Sequence, residues 1–178
     1  MRTYFQGQLK LPVGARDHIR GPEAAPVTLV EYGDYQCPFC GEAAPIVDEI
    51  QRQLGKELRF VFRNFPLTEM HPYAEHAAEV AETAAAHGKF WEMHDLLYAN
   101  QEALEDPHLV KYGTSLGLPA AELQKALAEH TYLERIREDF MSGVRSGVNG
   151  TPTFFINGMR HDGPFDFDSL MAALNAAG

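Results

Sequence analysis

Val27-Thr28-Leu29-Val30-Glu31-Tyr32-Gly33-Asp34-Tyr35-Gln36-Cys37-Pro38-Phe39-Cys40 runs from a strand through a turn into a helix, with two thiols at the junction. Val27 to Tyr32 is short, β-branched and apolar, the pattern of a buried strand. Gly33 to Gln36 makes the turn. From Pro38, Ala43, Ile46, Val47, Ile50 and Leu54 recur at helical spacing, and Gly55 stops the run. Pro45 lies inside this helix and is expected to kink it. Leu58 to Arg63 reads as a second strand. Strand, helix and strand in so few residues form a βαβ unit, which requires a parallel pair.

The first turn of a helix exposes unpaired N–H groups and the positive end of the macrodipole. Both favour an anionic sulfur at Cys37, so its pKa is expected below the ordinary ~8.5, in the range ~3.5–7.5. A thiolate is the nucleophile of disulfide exchange. Pro38 lacks an N–H that would be orphaned there anyway, and its ring presets helical geometry. Cys40 lies one turn further in, placed to resolve a mixed disulfide. The other use of such a pair is half of a zinc site. Zinc needs four ligands, no second cysteine pair exists, and the eight histidines are scattered without a ligand-spaced pair, so no metal is expected. No cofactor is expected either.

The remaining composition narrows the partners. The chain has 178 residues, 45 % of them apolar, enough for one cored domain or one with an insertion. A net charge of −10 repels phosphate backbones and anionic lipid heads, so neither nucleic acid nor a membrane surface is an expected partner. Two cysteines so close together would close a tiny loop and stabilise little, which points to chemistry and not stapling. Met1 to Lys10 shows no apolar leader, and no stretch is long and apolar enough to span a bilayer, so a cytoplasmic location is expected, or a periplasmic or exported one if a leader has been removed. Tyr4-Phe5-Gln6-Gly7 looks like the core of a protease-tag site. A monomer is expected over an oligomer.

Residues before the first strand end in Arg20-Gly21-Pro22-Glu23-Ala24-Ala25-Pro26, a turn-rich close to an irregular N-terminal segment. Pro72 to Val148 reads as helical throughout, with Ala74 to His87, Phe90 to Asn100, a helix capped at Asp106-Pro107, another starting at Pro119, and a last one over Tyr132 to Val144. Trp91 is expected in the core of this helical block. Thr153 to Ile156 is a third strand, Asn157-Gly158 a hairpin turn, and Met159 to His161 a short fourth strand. Asp166 and Asp168 open the closing helix, Ser169 to Ala177. The expected divisions are an N-terminal extension (1–20), a first half-fold βαβ (21–70), a helical insertion (71–148) and a second half-fold ββα (149–178).

Glu31 to Cys40, followed far downstream by Gly147-Val148-Asn149-Gly150-Thr151-Pro152-Thr153-Phe154-Phe155-Ile156-Asn157-Gly158, resembles the DsbA-like branch of the thioredoxin superfamily. The resemblance runs from about Gly21 over nearly the whole chain. It implies an α/β thioredoxin fold with an all-helical insertion between the second and third core strands. It implies a thiol–disulfide oxidoreductase with catalytic Cys37 and Cys40, exchanging disulfides with protein thiols and served by a redox-recycling partner, with glutathione as a further candidate. It also implies a cis Thr151–Pro152 bond beside the sulfurs, with the Thr151 backbone free to pair with an extended substrate. Glu31 occupies the family's acidic position behind the thiols and would relay the proton of Cys40. Pro38 and Phe39 would touch substrate and tune the potential. Relatives without a leader, and cytoplasmic tails of some transporters, look more similar to this chain than the exported oxidants do.

Arg63 is a candidate ion-pair partner for Glu31. Tyr35, Phe39, Phe154 and Phe155 are candidates for an apolar substrate groove, although alternation on a strand puts at least one of the last two in the core. Two other functions fit the same fold. One is glutathione-dependent isomerase or transferase chemistry, against which two cysteines argue. The other is a non-catalytic module that holds peptides beside Pro152.

Overall fold

A computed structural model describes residues 7–178, so the tag-like reading at Tyr4 to Gln6 lies outside the described residues. The elements are β1 (His18–Arg20), β2 (Val27–Gly33), α1 (Pro38–Leu54), β3 (Leu58–Asn64), α2 (Ala74–Ala85), α3 (Phe90–Ala99), α4 (Asp106–Ser115), α5 (Ala120–Glu129), α6 (Leu133–Arg145), β4 (Thr153–Ile156), β5 (Met159–Arg160) and α7 (Phe167–Ala177). This is the α/β thioredoxin fold, with α2 to α6 inserted between the core strands.

The strands form one sheet in the order β1-β3-β2-β4-β5. The central pair, β2 and β3, is parallel and in register from Val27 opposite Leu58 to Gly33 opposite Asn64. Both strands read as near-continuous apolar runs because both faces of the sheet are covered. β4 runs antiparallel on the other side of β2, pairing Glu31 with Phe154 and Tyr32 with Thr153.

Pleating splits the side chains between two cores. Leu29, Phe60, Phe62, Phe154 and Ile156 face α1, α7 and the insertion. Val30, Tyr32, Val61 and Phe155 face the opposite side, where Leu9 and Val13 of the N-terminal segment and Phe140 of α6 cover them. α2 is the buried axis of the insertion. Its Ala74, Ala77, Ala78, Ala81 and Ala84 are all buried. Trp91 is only partly buried and packs at the seam between the insertion and the sheet, not in the insertion's own core. Its ring lies 5.6 Å from that of Phe60, and Arg20 stacks over it at 4.6 Å.

Local signals set the ends of the elements. Gly55 ends α1 with φ +50, and the hairpin residues Asn157 and Gly158 both have positive φ, as a type I′ turn requires. Asp166 caps α7 by accepting from the Ser169 N–H at 3.0 Å. α4 starts at Asp106 with Glu105 as its cap, one residue earlier than the expected Asp106.

The N-terminal segment is not irregular. It contributes β1, antiparallel to β3 with Ile19 opposite Val61. Nearer the start, Gln8 bridges Met159 on the far margin of the sheet, and Arg160 N–H donates to the Gly7 carbonyl at 2.8 Å. Between these contacts Asp17 meets Arg63.

The expected Glu31–Arg63 pair does not form. Arg63 sits opposite Tyr32 in the parallel register, so it shares the Tyr32 face and points away from Glu31. Its guanidinium takes Asp17 in a fork, at 2.8 and 3.0 Å, and also donates to the Tyr32 hydroxyl and the Leu11 carbonyl. Burial raises the Asp17 carboxyl, but Arg63, the Gly14 N–H and Arg16 together hold it below the usual range. Both side chains are 1 % exposed. Removing one charge from such a pair strands the other. Asp17→Asn is therefore expected to lower stability by about 3 kcal/mol, read as a fall in the urea midpoint at unchanged slope.

Candidate active site

Cys37 caps the N-terminus of α1 in an extended conformation, and Pro38 opens the helix. Both thiols are free. Cys37 is 4 % exposed and Cys40 is fully buried beneath it. The Cys37 thiol lies 3.5 Å from the Thr151 carbonyl oxygen, and the Thr151–Pro152 bond is cis. The structure thus brings together residues 114 apart in sequence.

Cys37 is lowered from 9 to about 5. The chief cause is a hydrogen bond from the Cys40 thiol. Burial opposes it, and Thr151 and the backbone N–H groups of Cys40 and Phe39 add to it. The helix-end N–H groups invoked from sequence do act, but the partner sulfur acts more strongly. The Thr151 hydroxyl is buried with no partner among the described residues, which leaves it available to a thiolate. Cys40 is pushed well above its ordinary value, first by burial, then by its bond to Cys37 and by Glu31.

Glu31 is 2 % exposed, on the face of β2 that meets α1. One carboxylate oxygen has no hydrogen-bond partner among the described residues. Burial, with repulsion from Asp48 and Cys37, raises its pKa to about 8. Glu31 is therefore a neutral acid at pH 7. The Tyr98 hydroxyl is another buried polar atom without a partner among the described residues, and burial, then Cys40 and Glu31, push its pKa up.

Two positioning residues went unread in the sequence. Asp34 accepts from the N–H groups of Gln36 at 2.8 Å and Cys37 at 3.2 Å, an Asx turn that fixes the active-site loop. Its other oxygen takes the Leu67 N–H and His71, both at 2.8 Å. An aspartate two residues before a turn N–H was the available signal. Gln101, from the insertion, donates to the carbonyls of Tyr35 and Cys37 at 2.9 Å. It fits because position 41 is glycine; a Cβ there would lie 2.0 Å from the Gln101 side chain. No local pattern announces that contact.

The expected aromatic groove is corrected. Tyr35, Phe154 and Phe155 are all core: the last two lie on a strand covered on both faces, and Tyr35 packs from the turn against Phe62, His94 and Tyr98. Phe39 alone of the four is open, at 58 % exposure.

The sequence profile of the thioredoxin family matches residues 15–176. The chain belongs to that family. Thioredoxin-fold relatives of known structure superpose closely. BdbD from Bacillus subtilis has a TM-score of 0.86 at 23 % identity, over 97 % of this chain and 96 % of its own. The catalytic domain of Proteus mirabilis ScsC has a TM-score of 0.77 at 19 % identity, over 92 % and 90 %. In sequence, the chain is 48 % identical over 95 % of its length to the Na(+)/H(+) antiporter NhaA 3 of Salinispora tropica. It spans about a quarter of the length of the antiporters it matches.

This thioredoxin-family chain shares the fold of BdbD and ScsC and sets a redox-capable CxxC pair at the N-terminus of α1. The cytoplasmic location expected above is corrected. The solved structures of the same fold, BdbD and ScsC among them, speak against it. The expectation rested on the first residues of the chain, and where this chain begins does not decide its compartment. No described helix is long and apolar enough to cross a membrane.

Proposed function

We propose that the chain works as a dithiol oxidase, its Cys37–Cys40 disulfide taking two electrons from substrate thiols. A substrate thiolate attacks Sγ of Cys37, a substrate–Cys37 disulfide forms, and Cys40 leaves as a thiolate. A second substrate thiolate then attacks the substrate sulfur, and Cys37 leaves. The observation that carries this direction is the Cys37 pKa of about 5. A low pKa makes Cys37 a good leaving group and stabilises the reduced protein, which makes the disulfide a stronger oxidant.

The first step releases an anion at buried Cys40. Glu31, still protonated at pH 7, supplies the proton and takes it back when the disulfide is reformed. The Thr151 backbone beside Cys37 pairs with an extended substrate segment, and Pro38, Phe39 and Pro152 line its path. Exposed Phe39, Met70 and Tyr73 support an unfolded polypeptide as that substrate. Tyr73 is tied to the active-site turn, its N–H donating to the Gln36 side chain at 2.7 Å. A second electron acceptor, of a chemistry outside this chain, must restore the disulfide.

Equilibration with glutathione buffers tests the direction. A potential of roughly −120 to −180 mV is expected for an oxidant, and one near about −270 mV would make the protein a reductant instead. Cys37→Ser is expected to abolish turnover of a reduced substrate protein. Turnover that survived this substitution would remove Cys37 from the mechanism.

A further inference from the structure

We propose that His76, Glu79 and His130 bind a zinc-class divalent cation on the helical insertion, away from the two thiols. The sequence reading named no metal ligands, because there is no second cysteine pair and the histidines read as scattered without a tight ligand-spaced pair. The fold supplies the proximity. His76 and Glu79 lie three apart on α2 and share a face. His130 follows α5 and reaches back to them. One ligand atom from each residue lies within 4.8 Å of the others. His130 Nδ1 and Glu79 Oε2 are 3.2 Å apart. Ligands about 2.1 Å from a tetrahedral ion stand about 3.4 Å from one another, so small side-chain rotations close the set.

Three features mark this cluster as built. Glu79 is fully buried, yet His130 is its only hydrogen-bonding side-chain partner among the described residues. One turn along the same helix, Glu82 has Arg135, His18 and Asn64. A buried carboxylate without an arginine or lysine calls for another cation. The second feature is the backbone of His130, held at φ 53 and ψ 47. That left-handed conformation is uncommon for residues other than glycine, and here it carries an imidazole to Glu79. The third is Asp106 at the start of α4, 2.6 Å from Nδ1 of His76 and outside the mutually close set. A carboxylate on one ring nitrogen orients the other toward a metal and raises its basicity. It leaves Nε2 of His76 for the cation.

Two imidazoles and one carboxylate suit zinc and its neighbours better than calcium or magnesium. A cleft of about 590 Å³ opens beside the cluster, lined by Val110, Gln124 and Leu127 as well as the two histidines. It leaves a coordination position open to water or a small anion. The ion would tie α2, the end of α5 and, through Asp106, the start of α4.

Titrating the full chain with zinc chloride tests this, with the protein in its disulfide form so that Cys37 and Cys40 offer no thiolate. Calorimetry is expected to show one zinc bound per chain. Cobalt(II) in its place is expected to give d–d bands without thiolate charge transfer. Zinc should also raise the melting temperature by mass action. His76→Gln and His130→Asn are expected to weaken binding at least about 100-fold, and Asp106→Asn about 10–100-fold. Both histidines are partly exposed, and asparagine tolerates the left-handed backbone at 130, so these variants should fold. Absence of zinc binding by the oxidised protein would overturn the proposal. So would unchanged affinity in both histidine variants, or binding that vanishes on oxidation and therefore belongs to the thiols.

Discussion

In a Cys40→Ala variant the Cys37 pKa is expected to rise from about 5 toward the ordinary 9. The Cys40 thiol is the largest contributor to the depression, ahead of Thr151 and the helix-end N–H groups. Removing it should raise the pKa by about 1–3 pH units, read from the ultraviolet absorbance of the thiolate against pH. The same variant keeps its attacking sulfur and loses the one that resolves, so it should accumulate mixed disulfides with substrate. The sign of a second effect follows. Between about pH 5 and 9 the unfolded reduced chain holds a proton at Cys37 that the folded chain has lost. The Cys37 contribution to the stability of the reduced parent therefore rises with pH through that window and is lost as pH falls through about 5, while Glu31 opposes it up to about pH 8. The disulfide form has no such titration, so the gap between the two forms should narrow on acidification. Cys40→Ala should lose most of that pH dependence. A Cys37 pKa unmoved by the substitution would mean that Thr151 and the helix-end N–H groups hold the thiolate without Cys40.

Glu31→Gln should slow release of Cys40 by about 100-fold and erase the limb of the rate profile near pH 8. Glutamine matches the neutral carboxyl in shape but has no proton to give. Stability should move the other way. Glu31 is raised from 4.5 to about 8, so the folded state holds its proton more tightly than the unfolded. Burial costs little below pH 4.5, and stability is lost as pH climbs through about 8. At 1.36 kcal/mol per pH unit the full loss is about 5 kcal/mol. Glu31→Gln should remove this slope, leaving the variant several kcal/mol more stable than the parent above pH 8. Urea midpoints at acid and alkaline pH would read it. Parallel pH curves for the two proteins would mean that Glu31 is solvated and has no part in proton transfer.

What the sequence made legible was local. The strand from Val27, the cysteines at a helix start, the Asn157-Gly158 turn and the Asp166 cap each carry their signal within a few residues, and each stands where expected. The cis Thr151–Pro152 bond needed the family resemblance, since the tripeptide alone does not distinguish it from an ordinary strand start. The misread features were distant ones. Arg63 was offered to Glu31 because the two lie on neighbouring strands, but parallel register puts them on opposite faces. Gln101 and Cys37 meet across 64 residues, and β1 pairs with β3 across 42 in its central pair, Ile19 and Val61. Nothing in the composition around Gln101 or His18 marks either contact. Glu31 was legible as an acid on an apolar strand, but its neutrality at pH 7 follows only from the walls around it.

The first fourteen described residues, 7–20, touch both margins of the sheet, Gly7 and Gln8 at β5 and His18–Arg20 at β3. Open margins recruit stray chains, and an enzyme that handles unfolded polypeptides meets such chains constantly. Here one stretch occupies each rim, and the outermost strands it makes or meets are only three and two residues long. Under the oxidase function proposed above, a half-folded client held at the thiols meets no open rim on which it, or a second copy, could begin to aggregate.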